Sequence, residues 1–331
     1  MSFLSMISKA LYRSSYLALI WIFILSSCAS HHYIEPGNPH PPCVISLPEK
    51  IRVALVLGSG GVRGMAHVGV IEELKAAGIP IDLIVGCSAG SMVGALYADS
   101  PDIEKVKEVV WNVKTDSLLD LDLWHCRYGL SQGRSMKSTL SKHLAAKTFD
   151  DLKIPLIIVA CDLFSGELVP IGSGDLVRAV QASCSIPLMF VPCQHKGRIL
   201  IDGGVVNPVP AKVARDLGAD LVIAVDLCEL LPQTIPSNLF QVATRSAEIA
   251  FIWQNEICTH HADIIIRPKT SGMGTFNDKM KLQIYEAGRR ATREQIPLIK
   301  ELLRGIDLSS RNDQKRVVTL HCYLPQISLD Y

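Results

Sequence analysis

The chain lacks a charge excess of either sign: 33 Lys and Arg stand against 32 Asp and Glu, a formal net charge of +1 over 331 residues. A nucleic-acid binder usually shows a basic excess or stripe, so that class gains no support, and an acidic disordered tail is excluded. The ten cysteines contain no CxxC pair, which removes the zinc knuckle and the thioredoxin-like redox motif. Glycine (23) and proline (18) are near average, so the chain is neither collagenous nor linker-like. No internal repeat is present. What the chain has in quantity is apolar residues: 48%, with a mean hydropathy of +0.26, enough for a large core. Its length divides into about two average domains, but α/β enzymes of this size are often one.

The first 27 residues read as a sorting signal. Lys9 and Arg13 form a small basic region. Tyr16 to Leu25 (YLALIWIFIL) is too short to span a bilayer comfortably and suits a signal-peptide core. The run ends in Leu25-Ser26-Ser27-Cys28, which resembles the lipobox of bacterial lipoproteins. That resemblance implies cleavage before Cys28 and acylation of its sulfur and amine, and two or three acyl chains hold a protein on a membrane where one does not. An uncleaved helical tether is the alternative. Ala29 after the cysteine implies, by resemblance to enterobacterial sorting, the periplasmic face of the outer membrane in a bacterial cell envelope. The expected division is a signal over 1–27, a tether over 28–50 with Pro36, Pro39, Pro41 and Pro42, and one domain over 51–331. With Cys28 lipidated, nine cysteines remain and cannot all pair. Cys161 and Cys228 end apolar runs, where a cysteine is a small core hydrophobe.

From Ile51 the pattern alternates between strand and helix. Solid apolar runs at 53–57, 81–85, 156–160, 221–225 and 264–266 predict buried strands, with shorter ones at 168–170 and 198–201. Helices are predicted over 66–77, 89–97, 135–146, 176–182, 211–217, 242–258 and 279–304, with another starting at Pro101-Asp102. Strands without alternation require helices on both faces. The expectation is an α/β fold of three layers, with a mostly parallel central sheet and helices on both faces.

Gly86-Cys87-Ser88-Ala89-Gly90 fits GxSxG. The pattern alone arises by chance in about one chain in ten of this length. Here it lies directly after an apolar strand and directly before a helix, where a sharp turn exposes the serine Oγ above the sheet. Ser88 is the candidate nucleophile, at a helix N-terminus that favours developing negative charge. Upstream, Gly58-Ser59-Gly60-Gly61-Val62-Arg63-Gly64 follows the first buried strand. A dinucleotide fingerprint fails, because Arg63 stands where the third glycine belongs and no acid ends the second strand. A Walker A loop fails for want of Gly-Lys-Ser/Thr. Given Ser88, the loop reads as an oxyanion hole from backbone N–H groups of Gly60, Gly61, Val62, Arg63 and Gly64, with Arg63 fixing the loop or facing a phosphate, and a plain tight turn is the alternative. Asp202-Gly203-Gly204 follows a strand. Alone it reads equally as an Asx-turn or as a general base on a short loop.

Taken together, Gly60 to Gly64, Gly86 to Gly90 and Asp202 to Gly204 resemble, in order, the three motifs of the patatin-like phospholipase family, in particular its bacterial RssA-like members. The stretches 160–166 and 180–192 resemble further family blocks, and the likeness covers roughly 52–227. Cys87 stands where threonine is common. The resemblance implies a patatin-like fold and a Ser88–Asp202 dyad without histidine. It implies a serine acyl-ester hydrolase of the phospholipase A or lysophospholipase type, working through an acyl-enzyme without metal, nucleotide or organic cofactor. The implied partners are a phospholipid or lysophospholipid and, through the lipid anchor, a membrane surface. The alternative is an envelope scaffold of the same fold with little turnover, which would show a covered Ser88 and no acyl-sized groove.

Other candidates have plainer readings. His67 is expected as a packed or capping histidine. Cys258, His260, His261 and Asp263 have ligating side chains but not the spacing of a four-ligand site. His260, His261 and His321 follow Asp202 and so could complete an α/β-hydrolase triad, the mechanistic runner-up. Trp111, Trp124, Phe149 and Phe164 are candidates for an acyl pocket or membrane face, with the core as default.

Overall fold

The computed structural model describes residues 43–121, 127–228, 231, 234–270, 272–273, 278–306 and 315–324. The expected signal, Cys28 and most of the tether, together with Trp124, lie outside the described residues. In order the elements are β1 Cys43–Pro48, β2 Ile51–Leu57, α1 Met65–Ala76, β3 Leu83–Cys87, α2 Ala89–Asp99, α3 Ile103–Asn112 and α4 Arg134–His143. There follow β4 Leu156–Asp162, β5 Leu168–Ile171, α5 Leu176–Ser183, β6 Cys193–His195, β7 Arg198–Asp202 and α6 Ala211–Asp216. The chain continues through β8 Ala219–Val225, α7 Leu239–Thr259, β9 Ile264–Ile266, α8 Lys281–Arg304 and β10 Lys315–Leu320.

Eight strands form one sheet in the order β6-β7-β4-β3-β2-β8-β9, with β5 also paired to β4. The pairs β2–β3, β2–β8, β3–β4 and β8–β9 are parallel, and β5, β6 and β7 run antiparallel to their neighbours. Every residue of β2 is buried, so both faces are covered. Val53, Leu55 and Leu57 enter a core shared with α1 to α5 and α8. Ala54 and Val56 enter a second core with β1, α6 and Cys258 at the end of α7. The expected layers are present, but the first face carries most of the helices.

Two expectations shift. The tether ends earlier than predicted: residues 43–48 are a strand, paired antiparallel with β10 in register Cys43↔Leu320 to Pro48↔Lys315. A six-residue stretch beside prolines shows no strand signal when its partner lies that far along the chain. The second strand of the sheet begins at Leu83, two residues late. Asp82 is occupied instead in accepting the N–H groups of Arg52 and Val53 and the Arg52 guanidinium. Parallel strands bring the C-terminal ends of β2, β3, β4 and β8 to one edge, the usual place for a site in such a sheet.

Candidate active site

Strand β3 delivers Ser88 to that edge and α2 starts at the next residue. Ser88 has φ 52° and ψ −121°, a left-handed backbone that a serine adopts only at a cost of about 1–3 kcal/mol. The corner is held on both sides. Ser88 N–H donates to Ser183 Oγ at 2.8 Å, and the Ser88 carbonyl accepts from Ser91 Oγ at 2.6 Å. Gly90 passes so close to the Leu57 carbonyl that a Cβ has no room. Cys87 points to the opposite core, as its place in the elbow requires.

The glycine loop lies beside this corner. The Gly60 carbonyl accepts both Arg63 N–H and Arg63 Nε, each at 3.2 Å. Because a trans peptide opposes its C=O and N–H, pulling the Gly60 oxygen toward Arg63 aims the Gly61 N–H the other way. Gly61 has φ 58°, which favours glycine. Among the described residues, the N–H groups of Gly60, Gly61 and Val62 donate to no protein acceptor, whereas that of Arg63 is used inside the loop. The expected five-residue set thus contains three free donors. Gly64 instead brings the loop against Ala89, where a Cβ would come 2.9 Å from the alanine Cβ. His67 is fully buried and its Nε2 lies 2.8 Å from the Gly58 carbonyl, so this nitrogen carries the proton. Burial lowers its pKa to about 4, and the ring is a neutral brace for the loop.

Asp202 ends β7, which is registered against β4 with Asp202 opposite Ala160. Its Oδ2 accepts from Ser88 Oγ at 2.5 Å and its Oδ1 from Gly204 N–H at 2.7 Å. Burial raises its pKa to about 6, against the opposing pull of these two donors. Ser88 and Asp202 are 4% and 5% exposed, so both are close to dry yet reachable. His261 sits at the other edge of the sheet, its carbonyl accepting from Arg215. Lys212 and Asp216 are its neighbours, and burial foremost lowers its pKa. Asp263 is taken by Arg215 and by Val222 N–H.

Two cavities meet at Ser88. The first is apolar, runs among α2, α3 and α4, and encloses about 990 Å³ including its mouth. Met65, Met92, Leu96, Val110, Leu140 and Phe190 are among its walls. The second is wider, about 1350 Å³, and is bounded by Gly60, Arg63, Asp202 and, from α7, Phe251 and Ile252. Of the aromatic candidates, Phe149 is buried in the first core, Trp111 is 43% exposed and Phe164 is 79% exposed. The aromatics at the cavities are Phe190, which the sequence placed only in a family-like block, and Phe251. Ser183 and Ser91 were missed as supports of the elbow. Ser183 lies in the 180–192 block and Ser91 directly after the elbow, but nothing in their spacing distinguishes a brace from a core serine.

Residues 55–215 match the family model described as patatin-like phospholipase. Over 181 residues the chain is 36% identical to patatin-like phospholipase domain-containing protein 6 of Mus musculus, covering 53% of this chain and 13% of that protein. An uncharacterized NTE family protein of Mycobacterium bovis is 36% identical over 176 residues, covering 53% of this chain and 49% of the relative. The chain thus spans a small part of the mouse relative and about half of the mycobacterial one. Among solved structures, VipD from Legionella pneumophila superposes with a TM-score of 0.52 at 15% identity, covering 82% of this chain and 72% of VipD, a likeness of fold.

Proposed function

Since residues 55–215 match the patatin-like phospholipase family model, we propose that this chain hydrolyses acyl esters of lipids through a Ser88–Asp202 dyad. One observation carries the reading: Ser88 Oγ donates to a buried carboxylate at 2.5 Å, at the junction of an apolar cavity and an open one. The acyl chain occupies the apolar cavity and the alcohol part of the ester the open one. Asp202 takes the Ser88 proton as Oγ attacks the ester carbonyl. The free N–H groups of Gly60, Gly61 and Val62, on the loop that lines the cavities with Ser88, receive the developing oxyanion. Asp202 returns its proton to the leaving alcohol. It then draws a proton from water, which attacks the acyl-enzyme, and passes that proton to Ser88 Oγ as the Oγ–acyl bond breaks and the fatty acid leaves. A scaffold reading draws no support from a serine that lines two cavities.

The substrate is a phospholipid or lysophospholipid. The chain is read as a bacterial RssA-like member held by an acylated Cys28 at the periplasmic face of the outer membrane, a reading that rests on the lipobox-like Leu25 to Cys28. Intact-mass measurement of the membrane fraction, with Cys28→Ser alongside, tests the anchor: loss of added acyl mass only in the variant supports it.

Fatty-acid release from phosphatidylglycerol, phosphatidylethanolamine and their lyso forms tests the chemistry, without calcium and with Ser88→Ala and Asp202→Ala in parallel. Each substitution is expected to lower kcat by about 10³-fold or more. Equal release by a folded Ser88→Ala protein sinks the proposal. Because the base must be ionised, kcat/KM is expected to rise with pH through about 6, the pKa of Asp202.

A further inference from the structure

Helix α7 differs from every other long element of the fold. Its last turns are anchored: Gln254 donates to the Val206 carbonyl and Cys258 is buried. Its earlier turns stand out from the body, with nearly every residue from 241 to 250 exposed. Ala247, Phe251 and Ile252 border the open cavity at Ser88. At a 3.6-residue period the opposite stripe consists of Leu239, Val242, Ala243, Ser246, Ile249, Ala250 and Trp253, with no ionisable side chain. Leu239, Val242, Ile249 and Trp253 are 86%, 51%, 40% and 69% exposed. The charges of this region lie off the stripe, and Arg245 pairs with Glu248 at 3.0 Å.

The stripe is not alone at this edge of the sheet. Leu188 lies between Ile186 and Phe190, which line the cavities, and is 74% exposed with φ 71°. A leucine held outward on a left-handed backbone costs energy that packing does not repay. Phe164, on the turn beyond β4, is 79% exposed. Ion pairs occur at both edges: Lys50 with Asp220, Arg52 with Asp82 and Arg215 with Asp263 at the opposite one, Arg198 with Asp162 and Arg267 with Asp226 at this one. The α7 stripe, Leu188 and Phe164 thus place exposed apolar side chains on the edge where Ser88 opens.

We propose that α7 is the lipid-docking element of this protein: its uncharged stripe lies in the bilayer interface, with Leu188 and Phe164 as accessory contacts beside the cleft. The inference rests on the hydrolase reading for the choice of occupant, since the stripe is the outer face of the helix whose inner face borders the open cavity at Ser88. A helix with one apolar and one polar face lies in such an interface, its apolar side sunk below the headgroups. The inner face of α7 stays on the open cavity and gives an ester leaving the bilayer an apolar path to the serine.

The test uses the full chain with Trp253 as its sole tryptophan, Trp21, Trp111 and Trp124 being replaced by phenylalanine. The probe is vesicles of phosphatidylethanolamine and phosphatidylglycerol, with and without brominated acyl chains. Trp253 emission is expected to shift to the blue and to be quenched about twofold by the brominated lipid. This reads the depth of residue 253, so an N-terminal anchor does not produce it. Leu239→Ser/Val242→Ser/Ile249→Ser is expected to abolish the quenching and lower vesicle hydrolysis about fivefold or more, with hydrolysis of a soluble short-chain ester unchanged. Unquenched Trp253 on vesicles that hold the protein overturns the proposal. So does a blue shift in vesicle-free buffer that tracks dimer formation, which assigns the stripe to a second copy. Absence of soluble-ester hydrolysis in the parent protein sinks the dyad reading instead, while the quenching still decides the docking.

Discussion

The two longest helices stand in opposite relations to the fold. Helix α8, 24 residues, lies along α1, and two glycines let the backbones meet. A Cβ on Gly288 would strike the Ala66 carbonyl, and one on Gly69 the Tyr285 carbonyl. Glu73 of α1 then accepts from Arg289 and Arg293, and Tyr285 OH donates to Glu72. Helix α7, 21 residues, has no such partner over its first three turns among the described residues. Both helices have clear periodic patterns, so period alone does not say whether a face is covered. A covered face shows small residues where backbones touch and charges that find opposites at its rim. The face of α7 has small residues, Ala243, Ser246 and Ala250, but they are exposed with no backbone packed on them among the described residues, and its charge pair, Arg245 with Glu248, lies within the helix.

The sharpest way to break this comparison is to add volume on each side. Gly288→Val puts side-chain atoms where the Ala66 backbone already is, and the nearest obstacles are backbone atoms that cannot rotate away. A loss of about 3 kcal/mol or more is expected in urea unfolding. A stability within 0.5 kcal/mol of wild type, as an estimate of surface tolerance, would mean that the close approach does not exist.

The next effect has the opposite sign and belongs to the open edge. Asp202 has a folded pKa of about 6, above its unfolded value near 3.9. The native state therefore binds more protons between those values, and stability declines as pH rises through that window. Asp202→Asn removes the buried charge while leaving an acceptor for Ser88. The variant is expected to be inactive, more stable than wild type at pH 8 by about 1–3 kcal/mol, and equal to it near pH 3. Thermal melts at both pH values check the sign.

Much of this was legible in the sequence because each signal was local. The solid runs of β2, β3, β4 and β8 forced a sheet covered on two faces, and the elbow followed from a GxSxG between strand and helix. Asp202 was undecidable by itself and was read as a base only beside the other two motifs. The β1–β10 pair was illegible because its two strands lie at opposite ends of the chain. Ser183 was hidden for the same reason: its bond to Ser88 N–H joins residues 95 positions apart. The two faces of α7 were visible as periodicity, but their exposure depends on neighbours that no local pattern names.

A smaller effect returns to the packed pair. Burial alone would push Glu73 up, but hydrogen bonds and charge from Arg293 and Arg289 outweigh it and hold its carboxyl below the ordinary range. The sign is therefore the reverse of Asp202: the contribution is present above the unfolded pKa near 4.3 and is lost as pH falls through the folded value. Both arginines are partly exposed, so screening limits the gain. Glu73→Gln is expected to cost about 1 kcal/mol at pH 7 and close to nothing at pH 3, with the difference shrinking in 1 M salt.

The smallest expected effect is the most discriminating for the comparison. Ala250→Val adds volume to the α7 stripe as Gly288→Val does to α8, but the added methyls meet solvent. Unfolding free energy is expected to change by less than about 0.5 kcal/mol, with a slight loss from the β-branched side chain in a helix. The same substitution is expected to leave soluble-ester hydrolysis intact, because residue 250 lies off the face that borders Ser88. A loss above about 1 kcal/mol would mean that the stripe is already covered within the chain, and α7 would then be a second α8, finished by folding and not by a lipid surface.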